Sequence, residues 1–530
     1  MSALTGTARL LRVSLKHEGR NFAPWVLIVT VLSASSALVY PWVFPDAADR
    51  AGLAVAVGAN PALGLIFGPA FDLQTTDGFN AWRSLGIGGL LVALGAIFTV
   101  VKATRGQEDS GQAELLASGV LGRSSRLLTG VSLALIGSTV AGIVSGLVTV
   151  LCGGGWTASM LLCATFAATG WMFAGVAAVA AQLGSDARTA NSMAVGFLGV
   201  LFVLRGFAYS MDADPWAIWA NPLGWMTETR PATANDWVPL LYAVAFTAVA
   251  LAIAFALQAR RDFGQGAIVP SPGPARGKVR STGRLAWRLN LGLLLTWAVA
   301  FAILGVVFGY FATSIKDILS EDSAVAQILA AGSTTPDELI SAFLVTILSM
   351  VGILAAIPGI QTVLKVRSEE IEDRVEPLLA GAITRPRYYA SNVVLALIAS
   401  AVYVLLAGTI IAVLASQADV GLNLGDSILQ SVATIPAVWT VVALSTAVVG
   451  ARPVFLLAAW GGVVASFALT LLGPMFNLWD WILGISPFWH IPNVTLGGAD
   501  WSGLGWISLF TLFFLLVGFV GFRRRDLAST

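Results

Sequence analysis

The chain alternates between apolar stretches of about twenty residues and short polar interruptions. A helix crossing the hydrocarbon core of a bilayer needs about 20 predominantly apolar residues. Twelve stretches reach that length, at 22–43, 80–102, 126–150, 157–182, 189–209, 237–259, 287–311, 339–364, 389–416, 427–449, 453–474 and 504–522. The pattern predicts an all-α polytopic membrane protein with twelve transmembrane helices. Only 11% of the residues are charged and 57% are apolar, whereas soluble domains carry about 25% charged residues. The 55 glycines suit a bundle whose helices approach closely. A net charge of +1 gives no reason to expect a nucleic-acid partner.

The polar interruptions set the orientation, because loops rich in Lys and Arg stay in the cytoplasm. With both termini inside, all but five of the 30 basic residues fall on the cytoplasmic side; the exceptions are Arg50, Arg83, Arg205, Arg230 and Lys316. Arg83 and Arg205 lie near span ends, where a long side chain is expected to snorkel to water. Residues 1–20 are basic and lack a small-residue cleavage site, so the first apolar run reads as a retained span. The stretch 7–20 reads as a basic amphipathic helix on the inner leaflet. Localisation is therefore expected in the plasma membrane, multi-pass, with both ends cytoplasmic. Outside, Leu53–Phe67 and Ser323–Ala331 are too short to span and read as interfacial or re-entrant caps, with Asp72, Asp77, Asp337 and Glu338 nearby.

An internal repeat organises the chain. Arg105–Arg123 reads RGQEDSGQAELLASGVLGR and Arg367–Arg385 reads RSEEIEDRVEPLLAGAITR, with Arg105/Arg367, Glu108/Glu370, Glu114/Glu376, Gly119/Gly381 and Arg123/Arg385 identical at an offset of 262. At an offset of 264, Arg260-Arg261-Asp262 matches Arg524-Arg525-Asp526 after the last span of each half. Self-similarity at half the chain length predicts a duplicated six-helix unit, its copies parallel because six is even. The expected domains are a first half at 1–262, a cytoplasmic linker at 263–286 and a second half at 287–530. The linker's GPARGKV lacks the spacing, the Ser or Thr after Lys278 and the preceding strand of a phosphate loop.

No loop holds the roughly 100 residues of a nucleotide-binding domain, and no nucleophile–base set or metal cluster is visible. Two cysteines, Cys152 and Cys163, and two histidines, His17 and His490, make neither a disulfide framework nor a metal site. The chain is therefore expected not to be an enzyme. The repeated cytoplasmic loops are the best partner site. Ala113–Leu121 and Val375–Ile383 predict short helices across the membrane face, with Gly119 and Gly381 turning the chain back. An element that moves rigidly with its spans converts a partner's closure into helix motion. The candidate coupling residues are Glu108, Asp109, Glu114, Gly119, Arg123, Glu370, Glu372, Glu376, Gly381 and Arg385. Scarcity of charge within the spans predicts an apolar pathway and argues against proton coupling. Trp171, Phe173, Phe202, Phe207, Phe467 and Met475 are its candidate lining, although packing against helices or lipid is the commoner reason for such residues.

QEDSGQAELLASGVLGR, NPALGLIFGPAFDL at Asn60–Leu73, DGFNAWR at Asp77–Arg83 and FRRRDL at Phe522–Leu527 resemble the permeases of actinobacterial ABC exporters of the polyketide-antibiotic (tetronasin) type. The resemblance runs in order over most of the chain. It implies a fused pseudo-dimer that works with a separately encoded ATPase, two copies per permease, which binds the ATP and Mg. It also implies coupling segments at Glu108–Arg123 and Glu370–Arg385, and export of a hydrophobic or amphipathic antibiotic, drug or lipid by alternating access. In the second copy Pro377 replaces Leu115 and Ile371 replaces Asp109. Two alternatives stand beside this reading. One is a secondary transporter of the major facilitator type, which usually carries a basic motif where this loop is acidic. The other is a membrane enzyme acting on lipid-linked substrates, which needs a polar cluster at one face.

Overall fold

The computed structural model describes all residues except 1–3, 59–63, 65, 118–120, 211–212, 262–265, 269–276, 278–280, 314–335, 382, 418–422, 473–478, 496–498 and 527–530. Ser323–Ala331, Gly119, Met475 and the side chains of Asp337 and Glu338 thus lie outside the described residues. No strand occurs among the described residues, and twelve helices are long and apolar enough to cross a membrane. Their cores run α1 Ala23–Val43, α2 Thr76–Val101, α3 Ser125–Leu151, α4 Trp156–Leu183, α5 Ala187–Ser210 and α6 Val238–Arg260, then α7 Thr282–Thr313, α8 Pro336–Ile371, α9 Arg385–Gln417, α10 Leu424–Ala451, α11 Leu456–Phe467 and α12 Ser502–Arg524. Several overrun their apolar stretch at the basic face: α2 continues through a π-turn, Lys102–Gly106, to Asp109, and α8 to Ile371. Hydropathy marks the part of a helix that meets lipid; the backbone hydrogen bonds carry the helix further into polar sequence.

The chain divides into two compact units, Met1–Gly273 and Pro274–Thr530. In the first, α4 is the central helix, packed by α2, α3, α5 and α6, while α1 packs on α2 and α3. In the second, α10 is packed by α8, α9, α11 and α12, while α7 packs on α8 and α9. The fourth helix of each unit thus occupies its middle. Small residues make this possible. A Cβ on Gly142 of α3 would come within 2.7 Å of the Cys163 carbonyl oxygen on α4, and one on Gly450 of α10 within 2.7 Å of the Gly518 backbone on α12. Polar side chains inside the bundle satisfy one another: Asn80 and Ser33 exchange hydrogen bonds, and Ser84 and Thr149 donate to them at 2.9 Å each.

The amphipathic N-terminal segment forms a helix, Thr7–Glu18, with Val13 and Leu15 exposed among Arg12 and Lys16, as an interfacial helix requires. Its start is tied to the loop before α3, since Gly122 N–H and the Ser125 hydroxyl both donate to the Thr5 carbonyl. Part of the expected linker is anchored: Ala267 and Ile268 N–H donate to the carbonyls of Gln182 and Leu183 at the end of α4. Asp72 and Asp77 serve the backbone, Asp72 accepting from Gln74 N–H and the Thr75 hydroxyl, Asp77 from Gly155 N–H.

Candidate functional site: two arginine clasps and the turns they carry

The repeated segments build the same device twice. In the first unit the π-turn ending α2 aims Arg105 inward, where it is fully buried. Its Nε donates to the Ala181 carbonyl on α4 at 2.5 Å, and its NH1 to Glu108 Oε2 at 2.7 Å. Glu108 Oε1 also receives Arg126 of α3 at 3.0 Å and Arg261, just past α6, at 2.7 Å. Arg123 donates to the Arg261 carbonyl, and Gln258 of α6 donates back to the Arg123 carbonyl at 3.0 Å. Four helices are thereby joined around one carboxylate. In the second unit Arg367 donates to Glu370 Oε2 at 3.0 Å, Arg525 past α12 donates to Glu370 Oε1 at 2.5 Å, and Arg385 donates to the Arg525 carbonyl at 2.9 Å. Arg525 also donates to the Gly450 carbonyl on α10 at 3.1 Å. Charge-assisted bonds in a shielded setting are the strong ones, and removing one member of such a buried cluster leaves charge uncompensated.

Beyond each clasp the chain turns sharply. Gly111 has φ 73° and Asp373, its counterpart at the same offset, has φ 56°. Gly111 N–H donates to the Glu108 carbonyl, Asp373 N–H to the Glu370 carbonyl, both at 3.1 Å. Glycine takes the left-handed region freely, and Asp tolerates it better than most residues. The chain turns again after the second short helix, at residues 380–381, where Gly381 is not in the left-handed region. The short helices are Gln112–Ala117 and Glu376–Leu379, the first bearing buried Ala113 and the second preceded by buried Val375. Glu114 and Glu376, each next in sequence to the buried residue, point into solvent.

The candidate coupling residues thus separate by environment. Glu108, Glu370 and Arg385 are consumed inside the clasps, and Arg123, itself exposed, joins the first from its rim. Asp109 accepts from Ala187 N–H at 2.8 Å and caps α5. Glu372 pairs with Arg374 at 2.6 Å on the surface. Glu114, Glu376 and Gly381 are exposed. The partners that complete each clasp, Arg261 and Arg525, carried a visible signal in the repeated RRD after the last span, but nothing in one dimension joined it to the loop.

Residues 48–229 match the ABC-2 type transporter family, and residues 279–523 match the C-terminal domain of the multidrug efflux system permease Rv1217c. The chain is 35% identical over 534 residues to the multidrug efflux system permease protein Rv1217c of Mycobacterium tuberculosis (strain ATCC 25618 / H37Rv), covering 99% of this chain and 96% of that one. The chain belongs to this family of ABC-2 type efflux permeases. It is the multi-pass permease subunit of an ABC exporter and works with a partner ATPase.

Within the permease the candidate pathway residues meet different surroundings. Trp171 donates to Thr139 at 3.1 Å and lines a cavity of about 480 Å³ with Leu135, Val244 and Leu251. Phe173 is buried against Phe197. Phe202 lies under the Arg205 guanidinium, 4.7 Å from its ring centre, and Phe207 and Phe467 are exposed. Sequence reasoning missed a larger cavity in the second unit, about 790 Å³, walled by Val441, Leu444, Trp506, Phe510 and Phe514 with Thr440, Ser486 and His490. Its size and apolar character suit a drug-sized molecule. Its walls come from three helices and a loop, so no local motif announces it.

Proposed function

We propose that this permease exports hydrophobic or amphipathic small molecules, of the antibiotic, drug or lipid class, across the plasma membrane. Two copies of a separately encoded ATPase, carrying the ATP and Mg, dock on the exposed turns around Glu114 and Glu376. Both termini, the clasps and these turns then face the cytoplasm, in keeping with the positive-inside bias. ATPase closure presses the turns, the clasps pass the displacement to the second, third, fourth and sixth helix of the first half and their counterparts in the second, and the bundle alternates its access. The tetronasin-type resemblance and the multidrug efflux name of the relative support a broad apolar cargo.

One observation carries the reading. Each unit presents an exposed glutamate on a turn whose root is locked to several helices by a buried ion cluster. A handle that moved independently of the spans would transmit nothing. The test is to co-express the permease with its ATPase and to reverse the handles with Glu114→Lys and Glu376→Lys. Because both side chains are exposed, the double variant is expected to fold normally, lose co-purification of the ATPase and lose drug export. Full ATPase attachment by the double variant would remove the basis of the assignment.

A further inference from the structure

Arg205 belongs to none of the machinery described so far. It lies one turn from the end of α5 opposite the basic face and was expected to snorkel to water, yet it is only 2% exposed. Among the described residues no carboxylate pairs with it. Its NH2 donates to the Ile66 carbonyl at 2.8 Å, its Nε has no partner among the described residues, and its face rests on Phe202. A cation at membrane depth without a counter-ion is costly and is a functional group by default. Holding one carbonyl does not need a guanidinium, since a neutral amide would do so with far less desolvation.

The surroundings are shaped for the fork. Gly86 of α2 faces it so closely that a Cβ there would stand 2.7 Å from NH1, and Gly68, with φ 91°, borders it on a second side, where a Cβ would touch NH1 at 3.9 Å. Phe67 and Trp82, ring centres 4.8 Å apart, stand beside Gly68, whose carbonyl receives the Trp82 indole N–H at 3.2 Å. On the same helix Phe197, Val200 and Leu204 are exposed and apolar. In the second half the positions at the repeat offsets, Phe467 to Leu469, hold no charge, so the feature occurs once.

We propose that Arg205 recognises an oxyanion, a carboxylate or phosphate, at the head of an amphiphile whose tail runs along the apolar side of α5. A guanidinium offers such groups two parallel donors, and here the Ile66 carbonyl is the neutral acceptor that the anion replaces. This refines the cargo class in the export reading and rests on it only for the direction of transport.

The test uses the purified full-length permease without ATPase, in phosphatidylcholine nanodiscs, with calorimetric titration of dodecanoate, dodecanol and acetate. Dodecanoate is expected to bind at least about tenfold more tightly than dodecanol, and acetate in hundredfold excess not to compete. In Arg205→Gln the preference should fall to about one. Gly86→Ala, which keeps the charge but crowds NH1, should reduce it severalfold, so a folding failure of the first variant does not end the test. Repeating the titration with phosphatidylglycerol present separates the sources: competition assigns the site to a lipid headgroup, and its absence to cargo. Equal binding of dodecanoate and dodecanol, a preference that survives Arg205→Gln, or acetate binding as tightly as dodecanoate would each overturn the proposal. Export assays are separate, so failure of ATP-driven transport would strike the export reading and leave this binding result standing.

Discussion

The two clasps share a geometry and differ in charge. In the first half Glu108 pairs with Arg105, Arg126 and Arg261, and Asp109 and Asp186 also act on Arg105. In the second, Glu370 faces Arg367 and Arg525, and the place of Arg126 is taken by Tyr388, whose hydroxyl donates at 2.5 Å to Glu369, the residue matching Gln107. One half therefore gathers three guanidinium groups on one carboxylate, and the other gathers two, with a phenol on the neighbouring Glu369. What both retain is the tie from the second helix to the tail of the sixth. Arg525 adds a contact over Phe522, which stacks on Tyr389 at 4.3 Å. The comparison teaches that the joint is maintained while its charge balance drifts.

The largest effect expected is from Glu108→Gln, which takes the shared carboxylate from three guanidinium groups and should cost about 3–5 kcal/mol, read as thermal unfolding in detergent with loss of export. Glu370→Gln should cost less, because its carboxylate holds two guanidinium groups rather than three. Equal losses would erase the distinction between the clasps. Transplanting the second design with Gln107→Glu and Arg126→Tyr should give a double variant more stable than the two single changes add up to, with a coupling of about 0.5–3 kcal/mol. Additive behaviour would mean that the two positions do not meet as their counterparts do.

Close packing gives the next contrast. Gly450→Val sets a branched side chain against the Gly518 backbone, which has no rotamer by which to yield, whereas the single Cβ of Gly175→Ala on α4 would meet the Ala250 methyl on α6 at 2.8 Å and the Thr247 carbonyl oxygen only at 3.5 Å. Overpacking costs about 1–3 kcal/mol, and Gly450→Val should lie at the top of that range with Gly175→Ala at the bottom. Unfolding of the two variants in matched detergent checks the order.

The smallest effect is at Asp186, which the first half uses to start α5. Burial works against its carboxylate, but donors on Thr189 and Ser185 and the Arg188 backbone outweigh burial and hold it below the usual carboxylate range. A depressed folded pKa stabilises above the unfolded value, about 3.9 for Asp, and the gain disappears as pH falls through the folded value. Asp186→Ala should cost about 1 kcal/mol at neutral pH as a lost helix cap, and less as pH falls below about 4. Hydrogen exchange at the start of α5 across that range measures both; a cost independent of pH would contradict the assignment.

Much of the architecture was legible in one dimension. The twelve spans follow from apolar length, and the matching loops from identities at a fixed offset. The site was legible only in part. Glu108 and Glu114 are both repeated glutamates, yet one is buried among arginines and the other exposed. Arg205 looked like a span-end residue able to reach water, but Ile66, Gly86 and Phe202 close around it. The cavity beside Trp506 has no local signature because its walls are distant in sequence.

The spanning segments and the two matching loops are readable from hydropathy and repetition, because a bilayer imposes one requirement on every spanning segment: enough apolar length with its backbone hydrogen bonds closed internally. Which polar residue serves as tie, cap, handle or buried charge was set by packing. That outcome depends on the neighbours that other helices bring within about 3 Å, the reach of a hydrogen bond, and linear order does not encode those neighbours.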